Sequence, residues 1–293
     1  MYYFQMLLNG LSLGAVYAII ALGFTLIYSI LKFSNFSHGG IMVVCAYFAY
    51  VIQRRFQLNF VSMMLITAAF GAILACLVQF VGFENLRAKR SNIMLYFVSS
   101  STLGVLLQNI IVITFSSTYY AYPAFFTPPF VEVNGFTFSV LDMIMLGISA
   151  VVIIALMFLL YRTRLGISIR ALSMDSETVK LMGINVDATI SYTFAIGSAL
   201  AGAGGVLVGM YYNTINPLMG MVPGIKAFVA AVFGGIGIIP GAMFGGFFIG
   251  IVEALVTAYG SSLYKDAVVY AILILILIIK PAGLLGKNVK EKV

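Results

Sequence analysis

The chain has 293 residues, of which 62% are apolar and 9% charged, with a mean hydropathy of +1.10. A soluble domain carries about 25% charged residues, so the composition excludes one and defines an integral membrane protein. The net charge of +7 sits in short loops, which is the positive-inside pattern and excludes a nucleic-acid surface.

Apolar runs near the ~20 residues that cross a bilayer as a helix recur along the chain. In order they predict spans at 4–31, 36–52, 60–83, 93–115, 140–161, 188–212, 223–238, 241–259 and 268–279. The first run is too long for a signal-peptide core and has no small-residue cleavage site after it, so it reads as a retained helix. The seventh is short and glycine-rich and reads as a partial span. The expected fold is an all-α polytopic membrane protein, one domain over 1–293, with about eight or nine transmembrane helices. Cys45 and Cys76 both lie in apolar stretches and read as small core hydrophobes.

Charge counting orients the spans. With the loop after the fifth span inside, Lys32, Arg87, Lys89, Arg90, Arg162, Arg164, Arg170, Lys180, Lys280, Lys287, Lys290 and Lys292 are inside. Arg54, Arg55, Lys226 and Lys265 remain outside or at the outer boundary, a bias of twelve against four. The loop 163–187, TRLGISIRALSMDSETVKLMGINVD, is the longest polar interruption and is then cytoplasmic. A short helix is legible within it: Asp175 as N-cap, Glu177 in the first turn, Lys180 near the far end, and Gly183 at C′. It is either a docking handle for a soluble partner or an ordinary basic connector. The segment 116–139 faces outward. It places Pro123, Pro128 and Pro129 among aromatics, with Glu132 after them, as a docking surface or an interfacial loop.

Glycine clusters at 197–209 and 234–250 permit close helix approach, as static packing or as surfaces that move around a path. Ionisable groups at membrane depth are few. Glu253 falls within the eighth span, where it faces an aqueous path or serves as a structural partner for a neighbouring helix. His38, the single histidine, stands at the mouth of the second span and cannot build a metal cluster. Asn9, Gln108 and Asn109 read as interhelical hydrogen bonders. There is no phosphate cradle: Gly283–Leu–Leu–Gly286–Lys287–Asn288 has the wrong spacing and no Ser or Thr. No HExxH or paired cysteine ligands occur, and one glutamate makes a thin proton relay. The chain reads as a pore-forming part that borrows its energy and is not an enzyme.

Several stretches, in order, resemble the LivH-type permeases of bacterial branched-chain amino acid ABC transporters. They are GLSLGAVYAIIALGFTLIYSIL with NFSHGGIMVVCAY, then the loop 163–187, AGAGGVLVGMYY, GIKAFVAAVFGGIGIIPGAMFGG and EALVTAYGSSLYKDAVVYAILILILIIKPAGLLG. The resemblance implies a LivM-like second permease subunit, two cytoplasmic ATPases that carry ATP and magnesium, and an extracytoplasmic binding protein. It also implies residence in the bacterial inner membrane and no cofactor in this chain. The loop coincides with the family's coupling segment. Glu177 and Gly183 match its Glu and Gly, while Thr178 and Val179 stand where alanines are common. The expected mechanism is alternating access, with Asp175, Glu177, Lys180 and Gly183 coupling to the ATPases and His38 and Glu253 as path residues. The alternative is an ion-gradient-driven carrier of small polar solutes.

Overall fold

The computed structural model describes residues 2–89, 91–126, 130–133 and 136–286. Arg90, Pro128, Pro129, Lys287, Asn288, Lys290 and Lys292 lie outside the described residues.

Helix α1 (Tyr2–Leu31) runs through the middle of the bundle. The chain then turns back on itself and starts α2 (Ser37–Phe56). There follow α3 (Phe60–Gln79), a π-turn (Phe80–Glu84), α4 (Asn85–Ala88) and α5 (Ile93–Phe115). Strand β1 (Tyr120–Ala121) and the hairpin β2 (Phe130–Val133) with β3 (Phe136–Ser139) lead into α6 (Val140–Arg162). Then come α7 (Arg164–Met174), α8 (Ser176–Leu181) and α9 (Val186–Tyr212). Strand β4 (Thr214–Ile215) pairs antiparallel with β1, and α10 (Met221–Gly234), α11 (Ile239–Tyr259) and α12 (Lys265–Ile279) complete the chain.

Six of these helices are long and apolar enough to cross a membrane: α1, α3 with α4, α5, α6, α9 and α11. At 1.5 Å per residue α10 covers only ~21 Å, less than a bilayer core, so the seventh predicted run is too short to cross unaided; α2 and α12, the second and ninth predicted spans, are also not among the six. Buried fraction separates the long helices. The most apolar stretch of α1 is 94% buried and that of α9 is 83%, against 28% for α3 and α6 and 22% for α5. In water such exposed apolar surface would aggregate. Here it identifies faces turned to lipid or to another membrane chain.

The inner helices approach backbone to backbone. A methyl group added to Gly250 would sit 2.3 Å from the Cα of Gly14, so α1 and α11 touch only because both positions are glycine. The glycines read from sequence as either fixed or mobile contacts are closely packed in this conformation. Cys45 is buried, Cys76 is exposed, and both are free thiols.

Candidate functional site: a buried pair of helix starts, a charged cluster and a docking element

Many helices open on a side-chain cap. Asn59 accepts from Ser62 N at 2.9 Å, Asn92 from Met94 N at 3.2 Å, and Asn185 from Ala188 N at 3.0 Å. Helices α2 and α10 differ: Phe36 and Gly220 stand at their N-cap positions and neither supplies a side-chain bond. Both starts lie inside the bundle. Leu31 ends α1, Lys32 takes a left-handed turn at φ 57°, and the chain climbs back beside α1 before α2 begins. His38 Nε2 consequently meets the carbonyl of Ile20, 3.2 Å away, about three turns short of the end of α1.

The start of α10 abuts the start of α2. A Cβ on Gly39 would lie 2.8 Å from Gly220 O, and one on Gly220 would lie 2.3 Å from Gly39 O. Beside this contact is a cavity of about 260 Å³, bounded by α2, α5 and α10. Phe24, Phe36 and Phe97 supply apolar wall; Asn35, His38 and Gln108 supply polar groups. Asn35 Oδ1 accepts from both the amide (3.2 Å) and the hydroxyl (2.6 Å) of Ser37. Of the polar residues read as interhelical bonders, Gln108 lines this cavity and Asn109 bonds within its own helix, to Val105 O at 2.8 Å. Asn9, with its amide nitrogen turned to Asp142 Oδ2 at 3.0 Å, does bridge two helices.

A second polar set joins α1, α10, α11 and α12. Lys226 was assigned above to the outer boundary, yet its side chain is 0% exposed. Its Nζ lies 2.7 Å from Glu253 Oε2 and 2.7 Å from Asp266 Oδ1. Lys265 Nζ lies 2.9 Å from Glu253 Oε1, and Tyr17 donates its hydroxyl to Glu253 Oε2 at 2.9 Å. A buried ammonium is tolerated when carboxylates neutralise it, and the partners lie 27 and 40 residues along the chain, beyond any local pattern; burial inside the protein leaves the outer-boundary reading as it stands. The clue available in sequence was a lysine inside the apolar run GIKAFVAAVFG. Glu253 and Lys265 also border a cavity of about 400 Å³ lined by Gln5, Asn9, Tyr211 and Tyr212. His38 and Glu253 therefore belong to two different places and do not meet.

At the far end of the bundle Lys32 Nζ donates to Ser173 O at 2.9 Å and Arg87 pairs with Asp187 at 2.8 Å, tying the segment 163–187 to the end of α1 and to α4. Thr163 caps α7, accepting from Gly166 N at 3.1 Å. Asp175 caps α8, accepting from Glu177 N at 3.0 Å and Thr178 N at 3.3 Å and also from the Thr178 hydroxyl. The Thr178 hydroxyl first, then the two amides, hold the Asp175 carboxyl below the usual aspartate range. Gly183 has φ +81° and ends α8: its amide donates to Lys180 O at 3.1 Å and that of Ile184 to Val179 O at 3.4 Å. This is the paired-bond C-terminal motif that favours glycine at C′. Val179 anchors α8 inward, while Met174 (87% exposed), Leu181 (88%) and Met182 (77%) project outward. Next to them a groove of about 860 Å³ runs past Glu84, Arg87, Glu177, Lys180 and Asp187.

A polytopic helical bundle with two helix starts meeting inside it, and an ordered polar element at one end, defines a membrane transport protein of the permease class. Residues 6–277 match the family described as branched-chain amino acid transport system / permease component. The chain is 36% identical to the high-affinity branched-chain amino acid transport system permease protein LivH of Salmonella typhimurium, over all of this chain and 98% of that protein. It is likewise 36% identical to BraD of Pseudomonas aeruginosa, with the same coverage, and 27% identical to a probable LivH of Methanocaldococcus jannaschii over 93% of this chain and 89% of that one. The chain belongs to this family, and it is an ABC-transporter permease subunit and not an enzyme. The solved structure of PsaBC from Streptococcus pneumoniae in complex with Fab shares the fold, at TM-score 0.50 and 13% identity over 95% of this chain and 93% of that one.

Proposed function

We propose that this chain forms one half of the membrane pore of an importer for branched-chain or related small amino acids, in a bacterial inner membrane. The pore is completed by a LivM-like second permease subunit, laid against the poorly buried faces of α3, α5 or α6. Two ATPases dock at the 163–187 end, which is the cytoplasmic one, and a binding protein delivers the amino acid at the opposite end. The membrane is crossed eight or nine times, by the six long helices together with α2, α12 and the partial span α10. Nucleotide chemistry belongs to the ATPases; this chain receives motion through α8 and passes it to α1 and α9.

The observation that carries this reading is α8: a helix of six residues, capped at both ends and anchored by Val179, with its own Leu181 and the flanking Met174 and Met182 left exposed beside a charged groove. A connector needs none of that order, whereas a contact surface needs all of it. The rival reading, a carrier driven by an ion gradient, is disfavoured by the ion pairs around Glu253, which leave that carboxylate no role as an unpaired proton carrier. Vesicles holding this chain alone should not accumulate leucine under a proton or sodium gradient, and adding the partner subunits, binding protein and internal ATP should start uptake. Gradient-driven uptake by the isolated chain would sink the proposal.

A further inference from the structure

Two buried side chains at the cavity between α2, α5 and α10 carry polar atoms with no partner: Asn35 Nδ2 and His38 Nδ1. The residues themselves are 1% and 2% exposed. An orphaned buried polar atom costs stability, about 1–3 kcal/mol, and such atoms are few in native proteins. Asn35 and His38 both line one cavity, and the other polar atom of each side chain is already bonded. Asn35 Oδ1 already accepts twice from Ser37, so its free group is the NH₂ donor. His38 Nε2 faces the Ile20 carbonyl at 3.2 Å and must carry the ring proton there, which leaves Nδ1 of the neutral ring as an acceptor.

The helix starts add to the donor side. First-turn amides have no intrahelical partner, and a helix N-terminus carries partial positive charge. At the start of α2, where no side chain caps the helix, Gly39 is a first-turn residue and lines the cavity together with Gly40. The start of α10 meets them through Gly220 and Gly224. Donors for an anion, an acceptor for a cation and an aromatic wall thus share one small space inside the membrane-embedded part of the bundle.

We propose that this cavity binds the zwitterionic head of an α-amino acid in transit. The carboxylate is held by Asn35 Nδ2 and the first-turn amide of Gly39, the ammonium by His38 Nδ1, and the aliphatic side chain lies against Phe24, Phe36 and Phe97. This rests on the import function proposed above and adds to it a site that reads the invariant part of the substrate, leaving the side chain to apolar contact. Helix starts that approach an anion while backbone is freed only where it lines a cavity are a recurrent solution in membranes.

The test uses the assembled transporter in vesicles, with Ser101 of the cavity wall replaced by cysteine as a reporter and Cys76→Ser to silence the exposed native thiol. Labelling of the reporter by N-ethylmaleimide is followed with and without nucleotide. Leucine should slow it at least tenfold; leucinamide, which lacks the carboxylate, and N-acetyl-leucine, which lacks the ammonium, should not. Adding Asn35→Leu or His38→Leu should remove the protection by leucine. Equal protection by leucine and leucinamide would overturn the proposal, as would no protection or a reporter that never reacts. The ligand comparison needs no change at Asn35 or His38, so a misfolded variant does not decide it. Leucine uptake by the unmodified transporter separates the two claims. Uptake without protection overturns the site alone, and no uptake of any branched-chain amino acid overturns the import function and the site together.

Discussion

Two sets of acids and bases, at opposite ends of this molecule, use similar side chains in opposite ways. Around Lys226 the charges turn inward: Lys226, Glu253, Lys265 and Asp266 close on one another across three helices, with Lys226 and Glu253 buried and Lys265 and Asp266 at the rim. Around α8 they are wet: Asp175 and Glu177 are exposed, and the Asp175 carboxylate spends its lone pairs on backbone amides and a hydroxyl. The first set fastens helices together. The second, under the proposed function, shapes a surface for a soluble partner to hold. Burial decides the difference, since a low-dielectric site makes each unpaired charge costly and a solvated one does not.

The comparison can be broken most forcefully around Lys226. Lys226→Met leaves Glu253 with Lys265 and Tyr17 and deprives Asp266 of its buried partner. Losing one member of a buried pair typically costs about 3–5 kcal/mol, with the lower part of that range expected here because Lys265 remains. Thermal unfolding in detergent should show a large drop in Tm. Lys226→Met with Glu253→Leu should recover part of it, and a double variant less stable than either single one would contradict the pairing.

At the wet end the expected effect is on function with stability intact. Glu177→Lys should reduce ATP-driven uptake at least tenfold while Tm stays within a degree or two of the parent; a matching fall in Tm would mean that Glu177 serves the fold. Gly183→Val is smaller. A β-branched residue at φ +81° is strained by about 1–2 kcal/mol, so α8 should fray, seen as faster amide exchange at Val179 to Ile184 and weaker ATPase retention. Unchanged exchange there would show that the C-terminal turn tolerates a side chain.

The smallest effect is that of pH. The Asp175 carboxyl is held below its ordinary range in the folded chain, so the cap's contribution is fully present above the ordinary aspartate value and is lost as pH falls through the depressed one. Amide exchange of Glu177 and Thr178, corrected for its intrinsic pH dependence, should rise only in acid. A rise near neutrality would assign it to another group.

Much of this architecture was legible because membrane helices are written in composition. The six long apolar helices, the shortness of the seventh run and the ends of α8 follow from apolar run length, an Asp before a polar turn and a Gly after it. What was illegible is non-local. Nothing near Lys226 in the sequence announces Glu253 and Asp266, so its burial among carboxylates could not be read from a count of loop charges. Nor does any spacing show that α2 starts level with Ile20, since that depends on how residues 32–36 fold back. His38 was noticed as the lone histidine; Asn35, three residues earlier, drew no notice because an asparagine before a helix reads as a capping or turn residue.

The most direct measurement places a photo-crosslinking residue at Leu181, on the exposed tip of α8, in the intact transporter within native membranes. Irradiation should join this chain to an ATPase subunit, with a yield that changes between nucleotide-free and ATP-trapped states. Crosslinks to lipid alone, in membranes where the transporter is assembled and importing amino acid, would contradict the assignment of α8 as the place where this permease receives its motion.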